Sequence, residues 1–258
     1  MADASLRGRI LWYELLTTDM KAAENFYTKV VGWTVTPFRG GDEPYDMWTR
    51  RGGTSIGGVM TIPPGMNFPP HWGIYVGVPK LEDAVSQIER LGGSALSPVI
   101  DVPDVGRMRT MKDPQGAAFS IFEPAPNAPH MPETPPQEGD VSWHELYTTD
   151  AEGAMKFYTT MFGWQPTDTM DMGPMGKYHM FGRAFPLGGM MNKPKEMAQV
   201  PPHWSVYFRV DDVHKAAERV KANGGQVVNG PMEVPGGDWI VNCVDPQGAH
   251  FSLHHKKK

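Results

Sequence analysis

At 258 residues the chain has room for two domains of ordinary size, and a formal charge of -5 with a sequence pI near 6.0 leaves no basic footprint for a nucleic-acid partner. A single cysteine, Cys243, excludes an internal disulfide and suits a reducing compartment. No apolar run reaches the ~20 residues of a membrane helix, and the opening MADASLRGRI lacks the apolar segment of a secretory signal, so a soluble cytoplasmic protein is expected.

Taken in order, the residues from Arg9 to Thr17 predict a strand running into a helix at Asp19, whose carboxylate can accept from the orphan amides of the first turn. Ala22, Phe26 and Val30 fall at helical spacing and should bury one face, and Gly32 should end the helix. Short strands are predicted from Trp33 to Phe38, Tyr45 to Arg50 and Ser55 to Thr61, separated by Gly, Asp and Pro. The pattern then recurs: a strand from Trp72 to Val78, a helix through Leu81, Ala84, Val85, Ile88 and Leu91 stopped by Gly92 and Gly93, and strands near Ala95, around Arg107 to Met111 and from Ala117 to Phe122. The last of these follows the turn Asp113-Pro114-Gln115-Gly116.

All of this is written twice. WYELLTTDMKAAENFYTKVVGW from Trp12 returns as WHELYTTDAEGAMKFYTTMFGW from Trp143, PPHWGIYVGV from Pro69 as PPHWSVYFRV from Pro201, and DPQGAAFSIF from Asp113 as DPQGAHFSLH from Asp245. Helices are expected again near Asp150 to Phe162 and Asp212 to Asn223. Six prolines between Pro124 and Pro136 predict an extended connector that contains His130. The expected division is residues 1–123, a linker at 124–139, and residues 140–258.

A paired βαβββ module with a D-x6-FY-x4-GW helix and a DPxG turn resembles the vicinal oxygen chelate superfamily, which includes glyoxalases, bleomycin-resistance proteins and extradiol dioxygenases. The resemblance implies an α+β fold in two tandem domains, each of two modules forming a curved, cup-like mixed sheet with helices outside. It also implies metal-ligand positions, which fall on Trp12 and Trp143, on Gly73 and Ser205, on Ser120 and Ser252, and near Gly57 and Gly58 or Gly188 and Gly189. An indole nitrogen has no lone pair for a metal, and a lone neutral serine is a poor ligand for zinc, nickel or iron. No cofactor is therefore expected.

Strand alternation places other side chains on the same face as those positions. In the first half these are Trp12, Glu14, His71 and Tyr75; in the second, Trp143, Glu145, Tyr147, His203, Tyr207, His250, Ser252 and His254. Glu14 and Glu145 are candidate acid-base groups, since desolvation in a half-apolar cavity raises a carboxyl pKa. They could equally anchor a ligand amine, or pair with Arg50 and Arg183 at the strand ends. The aromatics suit stacking on a flat ligand and also suit core packing. The expected function is binding or sequestering an aromatic or amphipathic compound, or metal-free acid-base chemistry upon it, by a monomer or homodimer. The alternative is a glyoxalase- or dioxygenase-like metalloenzyme holding Ni, Zn, Fe or Mn through Glu145, His203 and His250 or His254. His144, His179, His214 and His255 read as structural or surface residues.

Overall fold

The computed structural model describes residues 6–40, 43–128 and 133–257. His130 and part of the proline-rich connector lie outside them. The first module is β1 (Ile10–Thr17), α1 (Met20–Val30), β2 (Thr34–Phe38), β3 (Tyr45–Thr49) and β4 (Ser55–Thr61). The second is β5 (His71–Gly77), α2 (Leu81–Arg90), β6 (Ser94–Ala95), β7 (Ile100–Val102), β8 (Gly106–Lys112) and β9 (Ala118–Pro124). The third is β10 (Val141–Thr148), α3 (Ala151–Phe162), β11 (Gln165–Asp171), β12 (Lys177–Gly182) and β13 (Pro186–Asn192). The fourth is β14 (His203–Arg209), α4 (Val213–Ala222), β15 (Gln226–Glu233), β16 (Trp239–Val244) and β17 (His250–His255).

Two mixed sheets result, ordered β2-β3-β4-β1-β5-β9-β8-β6, with β7 on β8, and β11-β12-β13-β10-β14-β17-β16-β15. The α+β reading holds, with four α-helices among the described residues. No helix among those residues is long and apolar enough to cross a membrane.

The helix caps follow the sequence closely. Asp19 accepts from the Ala22 amide at 3.0 Å and Asp150 from the Gly153 amide at 2.9 Å. The buried stripe of α1 is Met20, Ala23, Phe26, Tyr27 and Val30, so Ala23 replaces the expected Ala22. Ala23, Phe26, Tyr27 and Val30 follow the i, i+3, i+4, i+7 spacing of one helical face, which Ala22 flanks.

Compactness regroups the modules. One unit comprises the chain through Leu11, Gly73–Pro135 and His144–Trp204; the other comprises Trp12–Trp72, Pro136–Trp143 and Ser205–Lys258. In the second of these, the Tyr27 hydroxyl of α1 donates to Asp245 of the fourth module at 3.0 Å and accepts from the Trp72 indole at 2.9 Å. Asp245 also accepts from the amides of Gln247 and Ala249 at 2.9 Å each, which closes its turn. Phe26, Trp33, Trp48, Phe208 and Phe251 pack around this point.

The other unit repeats the arrangement. Tyr158 donates to Asp113 of the second module at 3.1 Å and accepts from Trp204 at 3.1 Å, among Phe119, Phe157, Phe162, Trp164 and Phe181. The tryptophans of the two GW pairs donate to Gly139 and Gly8 carbonyls at 2.8 and 2.7 Å. Burial raises Tyr27 and Tyr158 well above the ordinary tyrosine range, and it also raises Asp113 and Asp245, against the pull of the turn amides.

Two stability predictions follow from these buried groups. Tyr158→Phe strips Asp113 of a donor and Trp204 of an acceptor, and should cost about 1–3 kcal/mol in urea unfolding; a wild-type midpoint would show that the bond contributes nothing. His144 is held down to about 4 by burial, against the opposing pull of its 2.7 Å contact with the Leu187 carbonyl. Because this folded pKa lies below the unfolded value of 6.5, the unfolded chain takes up a proton that the folded chain does not. The histidine's contribution is present above that unfolded value and is lost as pH falls towards the folded one, at about 1.4 kcal/mol per pH unit. His144→Asn keeps a donor near the Leu187 carbonyl without the titration. The stability difference between wild type and this variant should therefore vary with pH in that window and stay level above it.

Candidate functional site

In the first module Glu14 of β1 stands opposite Gly58 of β4 in a parallel ladder, and Tyr45 of β3 reaches across that glycine. A Cβ built on Gly58 would lie 2.1 Å from the Tyr45 hydroxyl oxygen and 2.2 Å from its Cζ, so the ring occupies the space a side chain would need. The hydroxyl is hydrogen-bonded to the Glu14 carboxylate. It also accepts from the Trp12 indole at 2.7 Å. The result is a donor chain from Trp12 through Tyr45 to Glu14, with Glu14 only 8% exposed. Burial first, and then the Glu14 charge, raise the Tyr45 pKa, so the phenol stays a donor. His71, in the same unit, bonds through Nδ1 to the Pro69 carbonyl at 2.9 Å, and burial lowers its pKa.

The third module keeps the layout and enriches it. Glu145 stands opposite Gly189, and Tyr178 lies over that glycine with Cζ 2.1 Å from a built Cβ. Tyr147, where the first half has Leu16, is hydrogen-bonded to Glu145 and stacks on His203 with ring centroids 5.4 Å apart and planes at 21°. Burial and the Glu145 charge raise Tyr147 in turn. His203 bonds to the Pro201 carbonyl at 2.9 Å, as His71 does to Pro69. Glu145, Tyr147, Tyr178 and His203 therefore form one polar-aromatic set inside one unit.

In the fourth module, Tyr207 is buried and pairs in register with Ser252, whose hydroxyl accepts from Asn242 at 2.8 Å. His254 contacts Ser142 through Nδ1 at 2.7 Å and Asp238 through Nε2 at 3.0 Å; His250 is exposed. Tyr75 is buried and in register with Ser120, whose hydroxyl is spent on Thr110 at 3.1 Å. Trp143 is half-buried.

These residues do not make the donor set that a divalent ion would need. The Trp12 indole is a donor already used within the site, Ser120 and Ser252 are engaged by neighbouring side chains, and tyrosine rings cover both glycines. Both ring nitrogens of His254 have partners. No three His, Cys, Asp or Glu residues converge among the described residues. The expected partners Arg50 and Arg183 reach elsewhere, to Asp140 and Gln137 and to Glu133 and the Arg7 carbonyl.

Tyr45 and Tyr178 are absent from the sequence-derived set. Their signal is the repeated Y-x-M-[WF]-x-R strand read together with GG on the next strand: a tyrosine diagonal to a glycine can lie flat across it.

Comparison with known proteins identifies the family. The model of the Glyoxalase/Bleomycin resistance protein/Dioxygenase superfamily matches residues 141–253, and that of a glyoxalase-like domain matches residues 13–122. The protein named "Putative glyoxylase CFP32" from Mycobacterium tuberculosis (strain CDC 1551 / Oshkosh) is 35% identical over 254 residues, spanning 96% of this chain and 94% of that one. Anthracycline biosynthesis protein DauV from Streptomyces sp. (strain C5) is 30% identical over 262 residues, spanning 95% and 92%. Among solved structures, the Mn(II)-bound glyoxalase from Novosphingobium aromaticivorans aligns over 98% of this chain and 83% of its own, with a TM-score of 0.65 at 17% identity. The 2,3-dioxygenase LapB from Pseudomonas sp. KL28 aligns over 98% and 94%, with 0.67 at 14%. These likenesses carry the fold, and the sequence relatives carry the family. The chain belongs to the glyoxalase/bleomycin resistance protein/dioxygenase superfamily and holds two of its domains in tandem.

Proposed function

We propose that this protein binds a small aromatic or amphipathic organic compound through its glutamate-tyrosine sets, without the metal that structural neighbours such as the Mn(II)-bound glyoxalase carry. The observation that carries the reading is the chain from Trp12 through Tyr45 to Glu14 across Gly58, whose layout of glutamate, glycine and tyrosine recurs at Glu145, Gly189 and Tyr178. A carboxylate offers about four acceptor positions, so Glu14 can receive Tyr45 and still accept from a ligand hydroxyl or ammonium. Tyr147 and His203 supply a stacked aromatic surface beside Glu145, suited to a flat guest. The same carboxylates could move a proton at a bound ligand, which gives Glu14 and Glu145 the acid-base role. Relatives named for anthracycline biosynthesis make planar aromatic compounds the first panel to test.

A metalloenzyme reading, in which an expected ligand such as His254 holds an ion, draws on the likeness in fold to the Mn(II)-bound glyoxalase. It would require His254 to give up Ser142 or Asp238.

The test is a thermal-shift screen of the whole chain against an anthracycline, catechols and 2-oxoaldehydes, run with a chelator and again with added Mn²⁺. A compound at ~100 times its Kd stabilises the folded state by roughly 2.7 kcal/mol. The expected result is a shift that persists in chelator and falls by more than half in Glu145→Gln or Tyr147→Phe. A shift that vanishes with chelator and returns with Mn²⁺ would establish the metal-dependent reading instead.

A separate expectation concerns the glycine. Gly189→Ala must push Tyr178 off the strand, since the new Cβ would overlap the ring. It should weaken the same ligand at least as much as Glu145→Gln does, while circular dichroism stays that of wild type.

A further inference from the structure

The two halves differ at one place on the helix-facing side of their sheets. In the second module Arg107 binds Glu82 of α2 through two contacts of 2.6 and 2.9 Å, and Glu123 of β9 at 2.7 Å. Glu123 in turn accepts from the Leu81 amide at 2.9 Å, at the start of α2. This clamp closes the seam between helix and strands with an arginine bridging two carboxylates.

The repeat places Trp239 where Arg107 stands, His214 where Glu82 stands and His255 where Glu123 stands. The strand registers agree, since Arg107 pairs with Glu123 and Trp239 with His255. A cavity of about 490 Å³ takes the place of the clamp, lined by Asp212, Val213, His214, Glu233, Trp239, His255 and Lys257. That volume lies within the ~300–1,000 Å³ of small-molecule sites, and none of the cup-facing residues lines it.

The lining is specific. The His214 and Trp239 rings meet at 4.9 Å and 54°, making an aromatic corner. The His255 ring closes the far side of this corner, its Nδ1 atom buried away from solvent. Lys257 is strapped along one side: its amide donates to Asp238 at 2.9 Å, its stem lies against Gly237, and its amine stands 3.9 Å from Glu233. Asp212 caps α4 through the His214 and Lys215 amides, and these bonds hold its carboxyl below the usual range, so it stays ionised. Asp212 and Glu233 give the lining two carboxylates against the one lysine, Lys257.

The geometry points to a second ligand site in the fourth module that takes a small aromatic cation: a ring against Trp239 and His214, and an ammonium directed at Glu233. Such a cation gains from the indole face as well as from the carboxylates.

The probe is tryptamine, titrated calorimetrically into the full-length protein beside its anionic counterpart indole-3-propionate. Wild type should bind tryptamine and reject the anion. Glu233→Gln should weaken binding about 2- to 5-fold, as expected for an ion pair near the surface. The triple variant Trp239→Arg, His214→Glu, His255→Glu installs the clamp of the second module and should fold normally while abolishing binding. The cup variant Glu145→Gln should keep wild-type affinity, which separates this site from the cup. Equal binding of the anion, wild-type affinity in the folded triple variant, or no heat with tryptamine at ~10 mM would each overturn the assignment. If the triple variant fails to fold, wild-type affinity in Glu233→Gln overturns the ammonium contact.

Discussion

One buried bond governs this architecture: a tyrosine hydroxyl on the first helix of one repeat, donated to the aspartate of the DPQG turn of the other. Tyr27 to Asp245 and Tyr158 to Asp113 are the two instances, and in each a tryptophan indole fills the remaining lone pair of the phenol oxygen. A hydroxyl in so apolar a setting must be satisfied or it costs several times what the bond returns. The aspartate has a second obligation, since its other oxygen closes the turn through two backbone amides. Helix, turn and aromatic core are therefore positioned together, and neither half of the repeat completes its core from its own residues.

The local structure was legible because each element carries its own chemistry. Asp19 and Asp150 announce helix starts, Gly32 and Gly163 their ends, and the DPQG turns announce the strands that follow. The regrouping of modules was not legible, for a physical reason: the two tyrosines are equivalent, the two aspartates are equivalent, and nothing local says which pairs with which. Sequence separation disfavours Tyr27 meeting Asp245 over Asp113 only weakly, because loop-closure entropy grows with the logarithm of length. The choice is made by whole-surface packing, which no single motif encodes.

The site was half legible for a related reason. Alternation put Glu14 on one face with Trp12, as their shared contact with Tyr45 requires, and motif spacing put glycine at Gly58 and Gly189. Read one strand at a time, those glycines look like vacancies. Read across the sheet, they are the floor on which Tyr45 and Tyr178 lie, and the first of these spans to the glutamate beyond. A glycine beside a glutamate is thus an accommodation for a ring from the third strand. Arg50 and Arg183 form ion pairs at the strand ends with Asp140 and Glu133.

Duplication then allows the halves to diverge where the core does not constrain them. The tyrosine-aspartate bond, the indole donors to glycine carbonyls and the ring over glycine occur in both halves. Leu16 against Tyr147, Phe122 against His254, and the Arg107 clamp against Trp239, His214 and His255 do not match. Each change moves the second half towards groups that stack or donate, while the first half keeps apolar residues and an arginine bridging two carboxylates. The bridge from Arg107 to Glu82 and Glu123 fills the space between helix and strands. Trp239, His214 and His255 in its place exchange closure for an aromatic-lined cavity. The fold tolerates that exchange because its core bond lies elsewhere, in a tyrosine that both copies share.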